Sequence, residues 1–387
     1  MPQVSDEMIP LFKVSMHPDT HKEVEKVLMS GYIGEGPKVK EFEQGLSDYL
    51  QCKNIVALNS ATSALHLAIS MIKRKPTSDT WPGVSDGDEV LTTALTCTAT
   101  NWPILANNLN IKWVDADPET CNLDLRDLEE KLSEKTKIIV VVHWGGYPVD
   151  LGRLKKIQER SLELYGFSPL IVEDCAHGFG SKYKNLYLGS HGNYACYSFQ
   201  AIKHLTSVDG GALVLPDQEE YQRAKLLRWY GIDRESNRKD FRCEEDIPEW
   251  GFKFHMNDVN ASIGSHNLKH VDKIIERHKQ NARFYDQNLK DVAGVSLLER
   301  NPGHESSFWI YTLKVERQED FMAKMKKYNI MVSRVHERND KHSCVQKYRD
   351  NLTNLEKLVK EMICIPVGWW VTDEQREYIV ECIKDGW

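Results

Sequence analysis

Short runs of aliphatic and β-branched residues recur along the first half of the sequence and alternate with stretches of helical periodicity. The clearest run is KIIVVV at 137–142. Others lie at 54–58, 89–93, 111–114, 170–173, 194–199 and 211–215. Strands that are apolar without interruption are buried on both faces, which is typical of a parallel sheet covered by helices on each side. The sequence therefore predicts an α/β fold built on a mostly parallel sheet.

The pattern changes after about residue 250. Residues 258–289 indicate one or two long helices, and the part from 270 is clearly amphipathic. A strand at 308–315 and helices at 319–328 and 372–384 follow. This order predicts a large domain over residues 1–250 and a smaller α+β domain over residues 251–387.

Composition narrows the class of protein. The chain has 387 residues, and 50 Lys and Arg stand against 57 Asp and Glu, giving a net charge of −7. That balance disfavours nucleic-acid binding, which depends on neutralising phosphates. The sequence has no apolar run long enough to span a membrane, no apolar stretch typical of a secretory signal, and nine cysteines without CxxC spacing. We expect a cytoplasmic protein with reduced thiols that binds neither membrane nor nucleic acid.

Two other kinds of site are disfavoured by their context. The GVSDG sequence at 83–87 matches a nucleophile elbow, but it precedes a predicted strand instead of joining a strand to a helix. His336, Asp340 and His342 are possible metal ligands, yet they lack HExxH or CxxC spacing. A polar loop is the favoured interpretation, and we expect no metal.

Three predicted strand ends carry side chains that suit one chemistry. Asp174 follows one strand, Ser198 and Lys203 lie at the end of another, and NSATS at 59–63 connects a third to a helix. Ligands of open α/β sheets bind beyond such ends, and the free amides of a helix start hold phosphate. A lysine, a carboxylate and a phosphate cradle are what pyridoxal phosphate requires. The alternatives are that Lys203 is a solvated surface lysine and that Asp174 caps a helix or forms an ion pair with a basic side chain.

The same segments resemble the DegT/StrS-type sugar aminotransferases, which are pyridoxal phosphate enzymes of fold type I. The most specific are VEDCAH at 172–177 and SFQAIK at 198–203, followed by DGG at 209–211. Further matching segments lie at 31–37, 59–66, 87–90, 115–117 and 251–258. The resemblance covers nearly the whole chain. It implies a large domain with a seven-stranded, mostly parallel sheet, a smaller α+β domain, and a homodimer with shared active sites.

The resemblance also implies roles for individual residues. Lys203 would form the Schiff base with the cofactor and transfer the proton, Asp174 would pair with the pyridine nitrogen, and His177 would lie over the ring hydroxyl. The groups implied for the phosphate are the backbone of Ala61 and Thr62 and the side chain of Ser198.

The sequence departs from the family pattern at several positions. Cys97 stands where an aromatic ring usually stacks on the cofactor. Either its sulfur packs on the cofactor ring, or Trp102 or Trp144 stacks there instead. The alternative is that Cys97 is a plain core thiol. Ala61 replaces a common glycine. Lys253 stands where an asparagine of the partner subunit usually meets the phosphate, so it is either a phosphate ligand or a solvated lysine.

The loop at 333–344 is more charged than in the family. Arg334, His336 and Arg338 are candidates to bind a diphosphate or carboxylate, with an exposed polar loop as the alternative.

The resemblance therefore implies an aminotransferase that moves an amino group from L-glutamate to a nucleotide-linked keto-deoxy sugar, in deoxyamino sugar or polysaccharide biosynthesis. One family branch replaces the lysine by histidine and dehydrates sugars. Counting from Ser198 places Lys203, not His204, at that position, which favours transamination. Dehydration, amination of a small carbonyl compound without a nucleotide, and a sensor that binds the cofactor or a sugar nucleotide are the alternatives.

Overall fold

The computed structural model describes residues 7–236, 240, 243–244 and 246–387. The strands are β1 (Ile55–Leu58), β2 (Glu89–Thr93), β3 (Asn110–Val114), β4 (Thr136–Val142), β5 (Leu170–Asp174), β6 (Lys182–Tyr183), β7 (Leu186–Tyr187), β8 (Tyr194–Ser198), β9 (Gly211–Val214), β10 (Val295–Leu297), β11 (His304–Glu305), β12 (Tyr311–Val315) and β13 (Met362–Ile365). The α-helices are α1 (Thr20–Ser30), α2 (Pro37–Leu50), α3 (Ala61–Lys73), α4 (Thr98–Ala106), α5 (Leu125–Glu130), α6 (Leu151–Tyr165), α7 (Gln218–Leu227), α8 (Asp258–Leu268), α9 (Val271–Leu289), α10 (Gln318–Lys327), α11 (Thr353–Glu361) and α12 (Asp373–Lys384). Short 3₁₀ helices lie at Trp144–Gly146, Asn339–Lys341 and Ser343–Tyr348.

The central sheet has seven strands in the order β1-β9-β8-β5-β4-β2-β3. The strands from β8 to β3 pair in parallel, and β9 is antiparallel to both of its neighbours. Every residue of β4 is buried, as expected for a strand covered on both faces. The predicted α/β fold with a mostly parallel seven-stranded sheet is confirmed. Two small antiparallel sheets, β10-β12-β13 and β11-β6-β7, accompany it.

The register of the sheet brings three strand ends to one edge. Ser198 at the end of β8 pairs with Gly211, which in turn pairs with Leu58 at the end of β1. Asp174 at the end of β5 pairs with Cys196, two residues before Ser198. Because α3 begins at Ala61, directly after β1, its amino terminus lies at the same edge. The segments singled out in the sequence are therefore neighbours in space.

The packing of α8 and α9 bears on where the second domain begins. Ala261 of α8 and Ile275 of α9 belong to the hydrophobic cluster of Phe42 in α2, next to the central sheet. From Ala282 onward many buried residues belong to a separate cluster, which also includes Ile9, while others, such as Trp309, Ile310 and Leu355, pack into the cluster on the other face of the central sheet. The predicted boundary at residue 250 stays a prediction. We propose that the small domain's own core begins near Ala282.

Within the described residues, no helix combines the length and the apolar character needed to cross a bilayer.

A buried ion cluster ties α2 to the end of α7. The guanidinium of Arg228 is 4% exposed and donates to the carboxylates of Glu35, at 2.7 Å, and Glu43, and to the carbonyl of Ala57 at 3.1 Å. Arg228→Ala leaves the largely buried carboxylate of Glu43 without its cation and Glu35 with only the more exposed Arg234, which costs about 3–5 kcal/mol. We expect that loss in the free energy of unfolding, measured by urea denaturation followed by circular dichroism.

Arg283→Ala is the matched control. Its ion pair with Glu276 is half-exposed on both sides, so its loss costs less than about 1 kcal/mol. Equal losses in the two variants would contradict the importance of burial at Arg228.

Candidate functional site

Asp174 is buried at the edge of the sheet with its carboxylate fixed in place. Its Oδ2 accepts a hydrogen bond from the Thr100 hydroxyl at 2.7 Å, and its Oδ1 accepts one from the Ala176 amide at 3.0 Å. Burial raises the pKa of Asp174, while these two hydrogen bonds and the charge of Lys203 oppose the rise. An ionised carboxylate here has a strong electrostatic reason to pair with a protonated ring nitrogen.

Lys203 lies in the loop that follows β8, and its side chain is partly buried. Its Nζ lies 3.4 Å from the ring centroid of Trp309. Burial lowers the pKa of Lys203 to about 7, against the opposing effects of Asp174 and Cys97. A substantial fraction of Lys203 is therefore a neutral amine near pH 7, the form that attacks an aldehyde carbon.

His177 is held against the same tryptophan. Its ring stacks on Trp309 with 4.0 Å between centroids and 25° between planes. Its Nδ1 lies 3.3 Å from the Gly145 amide and accepts that hydrogen bond, which assigns the proton to Nε2. Burial, followed by the charge of Lys203, lowers the pKa of His177 well below its ordinary value. A neutral imidazole with a donor at Nε2 can hydrogen-bond a hydroxyl or phenolate oxygen.

The start of α3 forms a cradle of backbone amides. Ser60 caps the helix by accepting from the Ser63 amide at 3.1 Å, which leaves the first-turn amides of Ala61 and Thr62 without an intrahelical acceptor. A Cβ at Gly211 would lie 2.4 Å from the carbonyl carbon of Ser60 and 2.5 Å from the Ala61 nitrogen. Glycine at 211 therefore lets β9 touch the helix start, and the helical backbone of Ala61 accommodates its methyl group.

Ser198 completes this end of the site. It is buried beside Gly211 in the register of the sheet, and its Oγ accepts from the Gln200 amide at 3.4 Å. A hydroxyl at the end of β8, next to free helix amides, suits a phosphate dianion.

The aromatic ring at Lys203 is Trp309, and stacking of Trp102 or Trp144 on a bound cofactor stays a prediction. Trp144 is buried edge-on to His177, and its indole N–H donates to Thr312, while Trp102 lies edge-on to His342. Cys97 precedes α4 and is exposed, so it is not a core thiol. Its sulfur is near enough to Lys203 to affect the pKa of the amine. Cys97 could therefore contact a cofactor ring bound at Lys203.

Lys253 lies apart from this group on an extended segment. Its side chain is exposed, with Nζ 5.3 Å from the ring centroid of Trp229, and its carbonyl accepts from the Asn59 side chain at 3.3 Å. The segment thus runs beside the β1–α3 junction of its own subunit. Contact between Lys253 and a phosphate stays a prediction.

The charged loop at 333–344 is divided by the fold. The ring of His336 lies parallel to that of His177 at 5.7 Å, and its Nε2 is buried without a hydrogen-bond partner among the described residues. Arg338 forms a buried bidentate ion pair with Asp340, at 2.7 and 2.6 Å. His336 therefore belongs to the site. The charge of Arg338 is already neutralised.

Thr100 and Trp309 contact the predicted site residues but were not predicted from the sequence. Thr100 lies in the first turn of α4, and the available signal was a hydroxyl at the start of the helix that follows the carboxyl end of β2. Trp309 comes after the long helices of the C-terminal part and contacts Lys203 only through tertiary packing. The residues around Trp309 in the sequence therefore do not indicate this contact. Its indole N–H donates to the carbonyl of Ile202 at 2.9 Å, beside Lys203.

The residues present fit pyridoxal phosphate. An amine with a lowered pKa, a buried carboxylate and an amide-lined cradle lie at one edge of the sheet, at the strand ends where α/β proteins bind ligands. The cradle also depends on a glycine whose Cβ would overlap the helix start.

The pKa of Lys203 makes uptake of the cofactor pH-dependent. The neutral amine forms the covalent bond, so the uptake rate by the cofactor-free protein should rise about tenfold per pH unit below pH 7 and level off above it. Stopped-flow absorbance after mixing with pyridoxal phosphate measures this rate. A midpoint above pH 9 would indicate a solvated lysine and contradict the burial.

The chain is similar to aminotransferases in both sequence and structure. The sequence model of the DegT/DnrJ/EryC1/StrS aminotransferase family matches residues 14–384. The crystal structure of the sugar aminotransferase CalS13 from Micromonospora echinospora is 46% identical, with a TM-score of 0.93, and the match covers 98% of this chain and 100% of that one. The PLP-form of the putative sugar aminotransferase Spr1654 from Streptococcus pneumoniae is 27% identical, with a TM-score of 0.87 and 98% of each chain covered. The spore coat polysaccharide biosynthesis protein SpsC from Bacillus subtilis is 28% identical over 94% of this chain and 93% of its own length.

Proposed function

The chain belongs to the DegT/DnrJ/EryC1/StrS aminotransferase family, and from that premise we propose that it transfers the amino group of L-glutamate to a keto-deoxy sugar linked to a nucleotide. It is a sugar aminotransferase that depends on pyridoxal phosphate. The observation that carries the proposal is the meeting of Lys203, Asp174 and the start of α3 at one edge of the sheet.

Each side chain of the site has its own role in the proposed amino transfer. Pyridoxal phosphate, when bound, supplies an aldehyde that carries the amino group and a ring that takes up electrons. Lys203 would hold the aldehyde carbon of the cofactor, and its Nζ as a free amine would carry the proton during amino transfer. Asp174 keeps the ring nitrogen protonated, and His177 donates from Nε2 to the ring oxygen.

The phosphate-binding groups are the remaining part of this proposal. The amides of Ala61 and Thr62 and the hydroxyl of Ser198 would hold the phosphate at the start of α3. Cys97 would contact the face of the ring where a stacked aromatic is usual, with Trp309 supporting Lys203 from beneath.

A nucleotide-linked acceptor is favoured by the charged loop beside the site. His336 brings the loop at 333–344 up to His177. Arg334 in that loop is paired with the exposed Glu337 at 3.2 Å, an ion pair that exchanges easily with solvent. Its guanidinium matches a diphosphate in geometry, but it lines a surface pocket beside α10 and α11, so contact between Arg334 and the acceptor's diphosphate stays a prediction.

We propose that the active unit is a homodimer in which Lys253 reaches the phosphate of the partner's site. Large apolar side chains are exposed on the single chain near Lys253 and around α1, notably Met29 at 80%, Tyr32 at 79% and Trp250 at 64%. Exposed apolar side chains in this number indicate a protein interface. Light scattering of the purified protein gives the oligomeric state directly.

The visible spectrum of the protein with pyridoxal phosphate tests the amino donor. A band that glutamate bleaches, with release of an equal amount of 2-oxoglutarate, supports the proposed half-reaction. The bleached protein is then offered a keto sugar linked to a nucleoside diphosphate, the same sugar without the nucleotide, and a small aldehyde. Recovery of the band with the first compound alone supports the proposed acceptor.

Other outcomes point to the alternatives. A band that glutamate leaves unchanged, with loss of water from the sugar, would favour a dehydratase. Recovery with the small aldehyde alone would favour a carbonyl substrate without a nucleotide.

A further inference from the structure

Three histidines form a cluster that the proposed function does not use. His17 precedes α1, His266 lies in the last turn of α8, and His270 directly precedes α9. One ring nitrogen from each lies within 4.8 Å of the others. Nε2 of His266 lies 3.1 Å from Nδ1 of His17, and the rings of His17 and His270 stack at 3.9 Å between centroids with 7° between planes.

The backbone holds the three side chains together. The His17 amide donates to Oδ1 of Asn267 at 3.2 Å, and the Thr20 hydroxyl donates to the same atom at 3.3 Å. Asn267 is buried, and its Nδ2 donates to the carbonyl of Thr206 at 2.9 Å. Since His266 and His270 flank this anchor on adjoining helices, the cluster is built on fixed elements and not on a free loop.

The surroundings of His266 and His270 disfavour their protonation. Burial lowers the pKa of His266 and His270, and the proximity of His17 lowers both further. The charged neighbours are Lys269 and Lys273, which oppose protonation, and Asp19 and Glu23, which face His266 and favour it. Imidazole nitrogens are ligands that divalent transition metals prefer, and an ion bound through Nδ1 of His17 would replace the 3.3 Å hydrogen bond that this atom accepts from the Asp19 amide.

We propose that His17, His266 and His270 bind one divalent transition-metal ion of the zinc type. Zinc lies about 2.0–2.1 Å from each histidine nitrogen, so the ligand nitrogens of a tetrahedral site stand about 3.4 Å apart. Nε2 of His266 and Nδ1 of His17 are already near that spacing, and rotation of the stacked His17 and His270 rings out of their parallel arrangement would bring in the third nitrogen. The ion would fasten the segment before α1 to α8 and α9. Through Asn267 it would also support Thr206, three residues beyond Lys203.

Metal titration of the full chain, without an affinity tag and after treatment with a chelator, tests this site. Calorimetry with Zn²⁺ and the visible absorption of bound Co²⁺ should both give one ion per chain. His17→Gln and His270→Gln should each weaken binding by about 100-fold or more, since each removes a ligand. His270 makes no capping hydrogen bond to α9, so its replacement leaves the helix start intact.

His21→Gln is the matched control, because His21 is exposed on α1 and bonds to the carbonyl of Pro18 outside the cluster. It should bind the ion as the unchanged protein does. Zn²⁺ at 100 times its dissociation constant should also lower the unfolding equilibrium constant about 100-fold in this control and not in His270→Gln. Absence of binding, or binding of unchanged strength in the His17→Gln/His270→Gln double variant, overturns the proposal.

Discussion

Lys203→Ala is expected to lower the rate of amino transfer by about 10⁴-fold or more and to abolish the visible band of the covalently held cofactor. In the proposed function the variant loses two roles at once, because Nζ would both hold the aldehyde carbon and move the proton. The partly buried amine over Trp309, with its pKa near 7, is suited to both. Steady-state release of 2-oxoglutarate from glutamate, together with the absorption spectrum, measures the two losses separately.

Lys137→Ala is a close control for this experiment. Lys137 is also buried and lies over an aromatic ring, with Nζ 4.0 Å from the centroid of Phe167, but it donates to the carbonyl of Glu134 at the beginning of β4. That position is at the opposite end of the strand from the site. We expect its activity and spectrum to stay within about twofold of the unchanged protein. A Lys203→Ala variant that kept a hundredth of the activity would contradict the assigned role.

The central sheet could be predicted from the sequence because its strands are apolar without interruption. The predicted strand at 89–93 has the bounds of β2, and most others differ by one residue at an end. The antiparallel direction of β9 was not predictable, because the pattern of apolar residues along a strand indicates which faces are buried and not which way the strand runs. The division of residues 258–289 into α8 and α9 likewise required the structure, since the helical periodicity continues across the break.

The polar centre of the site was predictable to the extent that it lies at strand ends. Asp174 and Ser198 end their strands, and the register of the sheet brings them together. Trp309 comes from a distant part of the chain, and its contact with Lys203 depends on how the C-terminal elements dock. The loop at 333–344 allowed two interpretations for a similar reason. The spacing of its charges does not indicate which side chain turns toward the site, and in the structure it is His336 that stacks beside His177.

Asp174→Asn is expected to lower the rate of amino transfer by about 10³-fold. The amide is nearly the same size as the carboxylate but carries no charge, so it cannot keep the ring nitrogen protonated. The cofactor should still bind covalently, because Lys203 and the start of α3 are unchanged. The turnover rate at saturating glutamate and the spectrum of the resting enzyme distinguish slow chemistry from lost cofactor.

Glu173→Gln is the matched control, since Glu173 is the neighbouring buried carboxylate on the opposite face of β5. It lies 2.9 Å from Nε2 of His143 and accepts from the Asn193 side chain at 2.8 Å, so its pKa is lowered despite the burial. Its replacement should therefore cost stability and leave the chemistry intact.

We therefore expect Asp174→Asn and Glu173→Gln to have opposite effects on stability and on turnover. In the protein without cofactor, burial raises the pKa of Asp174, so the fold disfavours its charge. That protein should lose no stability on Asp174→Asn, because the change removes an unfavourable buried charge. Thermal unfolding of the cofactor-free variants measures this. A large loss of stability in Asp174→Asn with normal turnover would mean that Asp174 serves the fold. Normal stability with slow turnover would mean that it serves a bound ring.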